Sequence, residues 1–247
     1  MKPLLRTLKK TGGRNAQGRI TVRHRGGGMR KIYRKVDFGQ EHLGLKGKVA
    51  AIEYDPNRNA FLALVNYENG RKGYLLSAQG MVPGTTVECN EQTSMEAGNR
   101  MRLKYLPVGT LVYNVELEPG RGGKLMRGAG TGAKVLAVEG GYTHLQLPSS
   151  EIRKVPEDCF ASLGLVSNPG HKDQVLGKAG RVRLKGRRPH VRGTAMNPRD
   201  HPHGGGEGKT GRGMAHPKTP WGKPAFGVKT RKRKKWTNKL ILQRRKK

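Results

Sequence analysis

Residues 60–77 read AFLALVNYENGRKGYLLS, and this stretch decides the fold. Two apolar runs, 60–67 and 72–77, flank the pair Asn69-Gly70. An Asn-Gly pair between alternating apolar runs is the strongest short-range signal for a β-hairpin, because both residues tolerate the positive φ that tight turns need. The stretch therefore predicts two antiparallel strands joined by a short turn.

Similar apolar runs recur on both sides, about ten residues apart. They are KVAAIEY (48–54), TTVEC (85–89), TLVYNVELE (110–118), AKVLAVEG (133–140), YTHLQLPS (142–149) and EIRKVP (151–156). Turn chemistry separates them, as at Gly140-Gly141, and a loop is predicted at 90–107. Because no helical periodicity is sustained, the pattern predicts an all-β chain with two small barrels rather than one α/β domain.

Charge is distributed very unevenly along the chain. Its 247 residues carry 50 Lys and Arg against 17 Asp and Glu, a net charge of +33. Residues 49–176 are neutral, with 13 of each kind, whereas 1–48 hold 14 basic and 2 acidic residues and 177–247 hold 23 and 2. These Gly- and Pro-rich ends cannot bury enough apolar surface to fold alone, so we expect them to be disordered when free. Such a surplus predicts a polyanionic partner, above all nucleic acid.

Several other protein classes are disfavoured by the sequence. No stretch approaches the roughly 18 consecutive apolar residues of a membrane span, and residues 1–10 lack the apolar core of a signal peptide. We therefore expect a soluble, intracellular protein. The two cysteines, Cys89 and Cys159, form neither a zinc motif nor a disulfide framework and are predicted to be small buried residues.

The segment GTAMNPRDHPHGGGEGKTGRG (193–213) invites an enzymatic interpretation, because Asp200, His201, His203 and Glu207 cluster beside glycines. No Ser or Cys nucleophile accompanies them, however, and a basic tail offers no rigid scaffold for catalysis. More plausible roles for these imidazoles are stacking on bases and donating to phosphates.

The same segment contains incomplete versions of two binding motifs. Gly208-Lys209-Thr210 supplies the end of a phosphate-binding loop, but His203 stands where its first glycine belongs and no buried strand precedes it. His201, His203 and His216 have no recognised zinc spacing. The sequence thus predicts neither a nucleotide-triphosphate site nor a protein-held metal.

The N-terminal run GGRNAQGRITVRHRGGGMRKIYRK (12–35) interleaves arginine with glycine and histidine rather than forming blocks of like charge. Arginine can pair bidentately with phosphate and stack on bases, so this run favours RNA contact over a solvated tail. The C-terminal KTRKRKKW (229–236) taken alone also matches a nuclear import patch or a polybasic tail. Trp221 and Trp236, set in basic sequence, indicate a surface against which they lie.

Seven blocks in order resemble the universal family two of large-subunit ribosomal proteins, in its bacterial or organellar form. They are GGRNAQGRITVRHRGGG (12–28), YRKVDF (33–38), EYDPNRNAFLALV (53–65), PVGTLVYNVELEPGRGGKL (107–125), VLGKAGR (175–181), RGTAMNPRDHPHGGGEG (192–208) and TPWGKP (219–224). The resemblance implies an OB-fold-like barrel followed by an SH3-like barrel, with long extended basic ends in large-subunit ribosomal RNA. The expected organisation is an arm at 1–30, the two barrels at 31–95 and 96–176, and a tail at 177–247.

The resemblance also implies a structural rather than enzymatic role. The stretch 192–208 would approach the peptidyl-transferase region and support its RNA, with Asp200 and His201 contacting RNA, and the protein would contribute to assembly and subunit association. Expected partners are large-subunit ribosomal RNA, neighbouring ribosomal proteins and the small subunit at the intersubunit face, with no membrane and no homo-oligomer. No cofactor is expected, since magnesium would be held mainly by RNA phosphates. The expected location is a cytoplasmic or organellar ribosome.

The predicted RNA-binding residues neutralise phosphates, contact grooves or stack on bases. In the arm they are Arg14, Arg19, Arg23, His24, Arg25, Arg30, Lys31 and Arg34. In the tail they are Lys178, Arg181, Arg183, Arg187, Arg188, Arg192, Arg199, His201, His203, Lys209, Arg212 and Trp221. No catalytic or metal-binding residue is predicted.

The chain departs from the family pattern at a few positions. Arg199 stands where a small apolar residue is usual, Met29 replaces a polar residue, and Leu184 occupies a place where an aromatic is common. The family's lead of about two dozen residues is also missing, which either removes the contacts of that lead or reflects a trimmed chain.

Two rival functions remain open at this stage. A histone-like DNA-compacting protein would share the charge, but its tails tend to be Lys- and Ala-rich rather than punctuated by Pro and Gly. An enzyme using Asp200 and His201 would have to show turnover without RNA.

Overall fold

The computed structural model describes residues 4–245, and short antiparallel strands make up most of its regular structure. The strands are β1 (Leu5–Thr7), β2 (Ile32–Arg34), β3 (Lys46–Glu53), β4 (Leu62–Tyr67), β5 (Lys72–Leu76), β6 (Thr86–Glu88), β7 (Arg100–Arg102), β8 (Leu111–Tyr113), β9 (Ala133–Glu139), β10 (Tyr142–Gln146), β11 (Ile152–Pro156), β12 (Phe160–Leu163) and β13 (Ile241–Gln243). Within residues 4–245 one α-helix occurs, α1 (Ala179–Leu184), with 3-10 turns at Leu103–Tyr105, Pro169–Asp173, Gly193–Ala195 and Trp236–Leu240. The all-β prediction is confirmed.

The first barrel is built on a four-stranded sheet in the order β5-β4-β3-β6. Its hairpin β4–β5 turns at the predicted pair, where Gly70 has φ 73° and the Tyr67 amide donates to the Arg71 carbonyl at 2.9 Å. On one face of these strands Leu62, Tyr74 and Leu76 are buried against the second barrel, and on the other face buried side chains form the core of this barrel. The residues of this core are Val49, Ala63, Val65, Tyr67, Leu75 and Val87.

The second barrel is built on a seven-stranded sheet in the order β13-β11-β10-β9-β8-β12-β7. Gly140 and Gly141, with φ 58° and 78°, form the predicted tight hairpin between β9 and β10. The core is made of buried apolar side chains. Its buried residues include Met101, Leu103, Val112, Val115, Val135, Leu145, Val155, Ala161 and Leu163. An OB-fold-like barrel followed by an SH3-like barrel is thus confirmed.

The two barrels share a third core. Leu62 and Leu76 of the first barrel pack with Tyr113 and Val166 of the second. The buried Tyr113 hydroxyl donates to the Leu76 carbonyl at 3.1 Å. Because a buried hydroxyl needs a hydrogen-bond partner, this bond fixes the position of one barrel against the other. The barrels therefore form one packed structure.

The chain divides into two compact units. One, here called the barrel body, comprises the described residues through Lys9, Arg30–Val175 and those from Trp236 on. The other, here called the basic unit, comprises Lys10–Met29 and Leu176–Lys235. The basic unit holds 23 Lys and Arg against 2 acidic residues, a net charge of +21.

Strand pairing closes both segments of the basic unit into loops. β1 pairs with β2, with Leu5 opposite Arg34, so the segment Lys10–Met29 leaves the barrel body and returns to it. β13 pairs with β11, with Arg153 opposite Ile241, and this returns the second segment. A chain tied at both ends has fewer conformations to lose than a free tail, so ordering on a partner costs less entropy.

Two predictions about the second barrel are wrong in detail. The run 110–118 does not form one strand, because Asn114 adopts φ 48° and ends β8 at Tyr113. The predicted loop 90–107 contains β7. Two of the three residues of β7 are arginines, so its sequence does not indicate that the strand is buried. The Arg100 side chain is fully buried because it pairs with Glu116 at 3.0 Å, and apolar periodicity cannot signal such a pair.

Cys89 and Cys159 are both free and buried, as predicted. Desolvation raises the pKa of each thiol from 9.0 to about 12. Both thiols ionise more easily in the unfolded chain, so their contribution to stability is present below pH 9 and lost as the pH rises toward about 12. We expect a thiol reagent at pH 8 to label neither cysteine in the folded protein and both in urea. Rapid labelling without unfolding would contradict this expectation.

Candidate RNA interface

The two segments of the basic unit are joined by backbone hydrogen bonds. Arg25 faces Arg187 in an antiparallel bridge, so the predicted arm and tail form one structure rather than two separate contacts with RNA. The joining bonds are Gly26 N to Gly186 O, Arg188 N to His24 O and Met29 N to Leu184 O, each 3.0 Å. Backbone bonds of this kind leave the arginine side chains free to point away from the ladder.

Glycine is required where the segments meet. A Cβ on Gly28 would lie 2.8 Å from the backbone N and Cα of Gly186, a distance that carbon atoms do not tolerate. Gly28 also has φ +79°, which disfavours any side chain. Gly28 therefore permits a close backbone approach within the protein.

The arm segment folds as a hairpin, with Arg14 facing Ile20 in an antiparallel bridge. The Asn15 side-chain oxygen accepts the backbone N–H groups of Gln17 and Arg19, each at 3.0 Å, which fixes the turn. Lys10 Nζ donates to the Gly28 carbonyl at 2.7 Å and ties the two ends of the segment together. The cations of this hairpin are thus displayed on an ordered backbone.

Histidine and tryptophan hold the arm against the tail. The His24 Nδ1 donates to the Pro189 carbonyl at 3.0 Å, and the His24 and His190 ring centroids are 4.3 Å apart. The Arg23 guanidinium carbon lies 5.1 Å from the Trp221 ring centroid, a cation–π contact. Trp221 is 74% exposed, so most of the indole remains available to a partner.

The loop 192–206 folds around a buried histidine. His201 is 7% exposed, and its Nδ1 accepts the His203 backbone N–H at 3.0 Å. A Cβ on Gly193 would lie 2.5 Å from the His201 ring, so glycine is needed for this packing. The loop leaves Arg199 and Asp200 exposed. The structure thus gives His201 a role in shaping the loop, which its type and spacing do not predict.

His203 links this loop to the following segment as a neutral ring. Its Nε2 accepts the Lys218 backbone N–H at 2.8 Å, which requires that nitrogen to be unprotonated. Desolvation, followed by the charges of His201, Arg212 and Lys218, lowers the pKa of His203 from 6.5. Protonation in acid therefore opposes this bond, and the loop is held best above pH 6.5.

Most predicted RNA-binding residues lie in the basic unit. All those in Arg14–Arg25 and in Lys178–Trp221 do, whereas Arg30, Lys31 and Arg34 belong to the barrel body. Arg34 Nε donates to Glu53 Oε2 at 2.9 Å, and this hydrogen bond raises the pKa of Arg34. Arg34 therefore has a partner inside the protein. RNA contact by each residue remains a prediction.

Sequence reasoning missed several contributors to the basic unit. Lys10 and His190 make the contacts described above, and Ile20 and Val22 stand 57% and 52% exposed on the arm. Charge counting finds arginines in a run but has no means to single out aliphatic side chains there. The local signal available for Ile20 and Val22 is their isolation in an otherwise polar stretch.

Within residues 4–245, no group of three or more His, Cys, Asp and Glu could hold a metal ion. Nor is any helix in that part of the chain long and apolar enough to cross a bilayer.

Two family models match the chain in succession. The RNA binding N-terminal domain of ribosomal proteins L2 matches residues 1–89, and the C-terminal domain of the same proteins matches residues 96–222. The matched regions cover both barrels except β13, and most of the basic unit. They agree with the concentrated positive charge, and they imply a structural ribosomal role with binding to ribosomal RNA. The chain belongs to the ribosomal protein L2 family.

Proposed function

We propose that this protein is a structural constituent of the large ribosomal subunit that binds large-subunit ribosomal RNA chiefly through its basic unit. The observation that carries the proposal is the union of arm and tail into one unit with a net charge of +21. Each phosphate that a cation neutralises releases condensed counterions, which supplies affinity for RNA independent of sequence. Family membership supplies the identity of the RNA as ribosomal.

The loop 192–206 supports the RNA around the peptidyl-transferase region in this proposal. Its contacts with the buried His201 preorganise a backbone that presents Arg199 and Asp200 outward. A preorganised loop loses less entropy on binding than a flexible one. The loop positions RNA rather than reacting, since His201 Nδ1 already accepts a backbone hydrogen bond and His201 is 7% exposed. The chemistry of the region belongs to the RNA, and the protein is not an enzyme.

The proposal extends to assembly of the large subunit and to association with the small subunit. Its partners are large-subunit ribosomal RNA, neighbouring ribosomal proteins and the small subunit at the intersubunit face. The protein acts as a single copy without a cofactor of its own, on a cytoplasmic or organellar ribosome, and magnesium at the interface is held by RNA phosphates. Membership of a ribosomal family supports these roles.

Sedimentation of a native lysate tests the proposal. After washes of rising salt, the chain should travel with the large subunit through a wash that strips loose polycations, because embedded loops add contacts that salt does not weaken. Early release, or migration with DNA, would favour the rival role in DNA compaction. Filter binding of the purified protein to duplex DNA and to structured RNA at matched salt separates these two roles directly.

The substitution Arg199→Val tests whether Arg199 contacts one phosphate of the RNA. Arg199 is exposed on the loop, so its removal should leave folding and assembly intact. The dependence of log K on log salt should become shallower by roughly 0.7 to 0.9, the value for one phosphate contact. Filter binding to ribosomal RNA at five salt concentrations measures the slope. An unchanged slope would show that Arg199 makes no such contact.

A further inference from the structure

The basic unit contains a cavity of about 570 Å³ on the arm side. Its lining joins both segments, because Arg188 of the tail lines it together with arm residues from Lys10 to Gly27. A volume of this size falls within the range of about 300 to 1,000 Å³ that small-molecule pockets occupy. A single phosphate would leave much of it empty.

The charge of the lining selects an anion. Five cationic side chains line the cavity, and no carboxylate appears in the described lining. They are Lys10, Arg14, Arg23, Arg25 and Arg188. Like charges held this close repel one another in the free protein, and an anion between them relieves that repulsion.

The cavity also has an apolar wall, which phosphate alone does not explain. Ile20 and Val22 line it and are 57% and 52% exposed, so two aliphatic side chains face water in an otherwise polar segment. Covering such side chains with the face of a base removes apolar surface from water. A ligand with both a flat apolar face and a negative charge is a nucleotide.

The cavity is preformed. The Asn15 turn, the Lys10 bond to Gly28 and the His24 bond to Pro189 fix the backbone of segments that line it. Arg23 is held at the cavity by its contact with Trp221. Such a site captures a ligand without first ordering its own walls, which favours binding.

We propose that this cavity takes one unpaired nucleotide of the bound RNA, with the base against Ile20 and Val22 and its phosphates among the surrounding cations. A base within a duplex cannot enter, because its faces are covered by its neighbours, whereas a bulged nucleotide can be splayed out. The inference rests on the proposed RNA-binding function and specifies which feature of the RNA the arm selects.

Three short RNA duplexes, of which the two bulged ones carry equal charge, test the proposal with the full-length protein. One is fully paired, one carries a single bulged 2-aminopurine, and one carries an abasic residue at the bulge. At a salt concentration where the paired duplex binds weakly, we expect the bulged duplex to bind about fivefold or more tightly than both others. The fluorescence of the 2-aminopurine should change on binding as its base leaves water.

Variants identify the cavity as the site. Ile20→Ser with Val22→Ser removes the apolar wall, keeps every charge and should abolish the preference for the bulged duplex. Val191→Ser with Val228→Ser removes two aliphatic side chains of the same unit, 53% and 54% exposed, that do not line the cavity. This control pair should retain the preference.

The outcomes distinguish the inference from the proposed function. Equal affinity for the bulged and abasic duplexes would overturn the inference in favour of a phosphate site, and equal affinity for all three would overturn any site at the cavity. In both cases RNA binding, and with it the proposed function, would stand. Failure to bind any of these RNAs, or ribosomal RNA, would overturn the proposed function itself.

Discussion

Glu116→Ala is expected to destabilise the barrel body by about 3 to 5 kcal/mol, because it leaves a buried guanidinium without its counter-charge. Arg100 is fully buried, and its Nη2 lies 3.0 Å from Glu116 Oε1. Glu116 Oε2 also accepts the Phe160 backbone N–H at 3.1 Å, so the same substitution removes a bond to β12. Urea unfolding followed by far-ultraviolet circular dichroism measures the loss.

A matched surface pair provides the control. Glu91 pairs with Arg102 but is 57% exposed, so Glu91→Ala should cost at most about 1 kcal/mol. Arg100→Met combined with Glu116→Leu removes both charges and should be less destabilising than Glu116→Ala alone. If Glu116→Ala were no more harmful than Glu91→Ala, the buried pair would not hold the second barrel together.

The barrels could be predicted from the sequence because their signals are local. The Asn69-Gly70 turn and the apolar runs around it specify strand, turn and strand within eighteen residues. The strand β13 could not be predicted, since Ile241–Gln243 becomes a strand only through pairing with β11, far away in the chain. Strand formation that depends on a distant partner leaves little trace in composition.

The candidate interface could be predicted only in part, because some of its features depend on contacts between distant parts of the chain. Counting charges identifies the arm and the tail as basic, but their union depends on backbone bonds between residues about 160 positions apart. In the structure Gly28 lies against Gly186 of the same unit, a close approach that no local sequence pattern indicates. The motif alone likewise does not show that His201 holds the loop together through its hydrogen bond with the His203 backbone.

Gly28→Ala should weaken binding to ribosomal RNA about 5- to 150-fold, since strain of about 1 to 3 kcal/mol would open the backbone hydrogen bonds that join arm and tail. The added Cβ would meet the Gly186 backbone at 2.8 Å. Because every cation is retained, the dependence of affinity on salt should keep its slope while the affinity falls at all salt concentrations. Filter binding across a salt series separates these two quantities.

Gly18→Ala is the matched control. Gly18 has the same φ of +79°, but a Cβ there would meet nothing within 4 Å, so this variant carries the backbone strain without the collision. The loss of RNA affinity in this variant should stay near the strain of one residue in the left-handed region, about 1 to 2 kcal/mol at most. A larger loss for Gly28→Ala than for Gly18→Ala would show that RNA binding depends on the close approach of arm and tail. Equal losses would mean that the two segments bind RNA independently, as the charge pattern alone suggests.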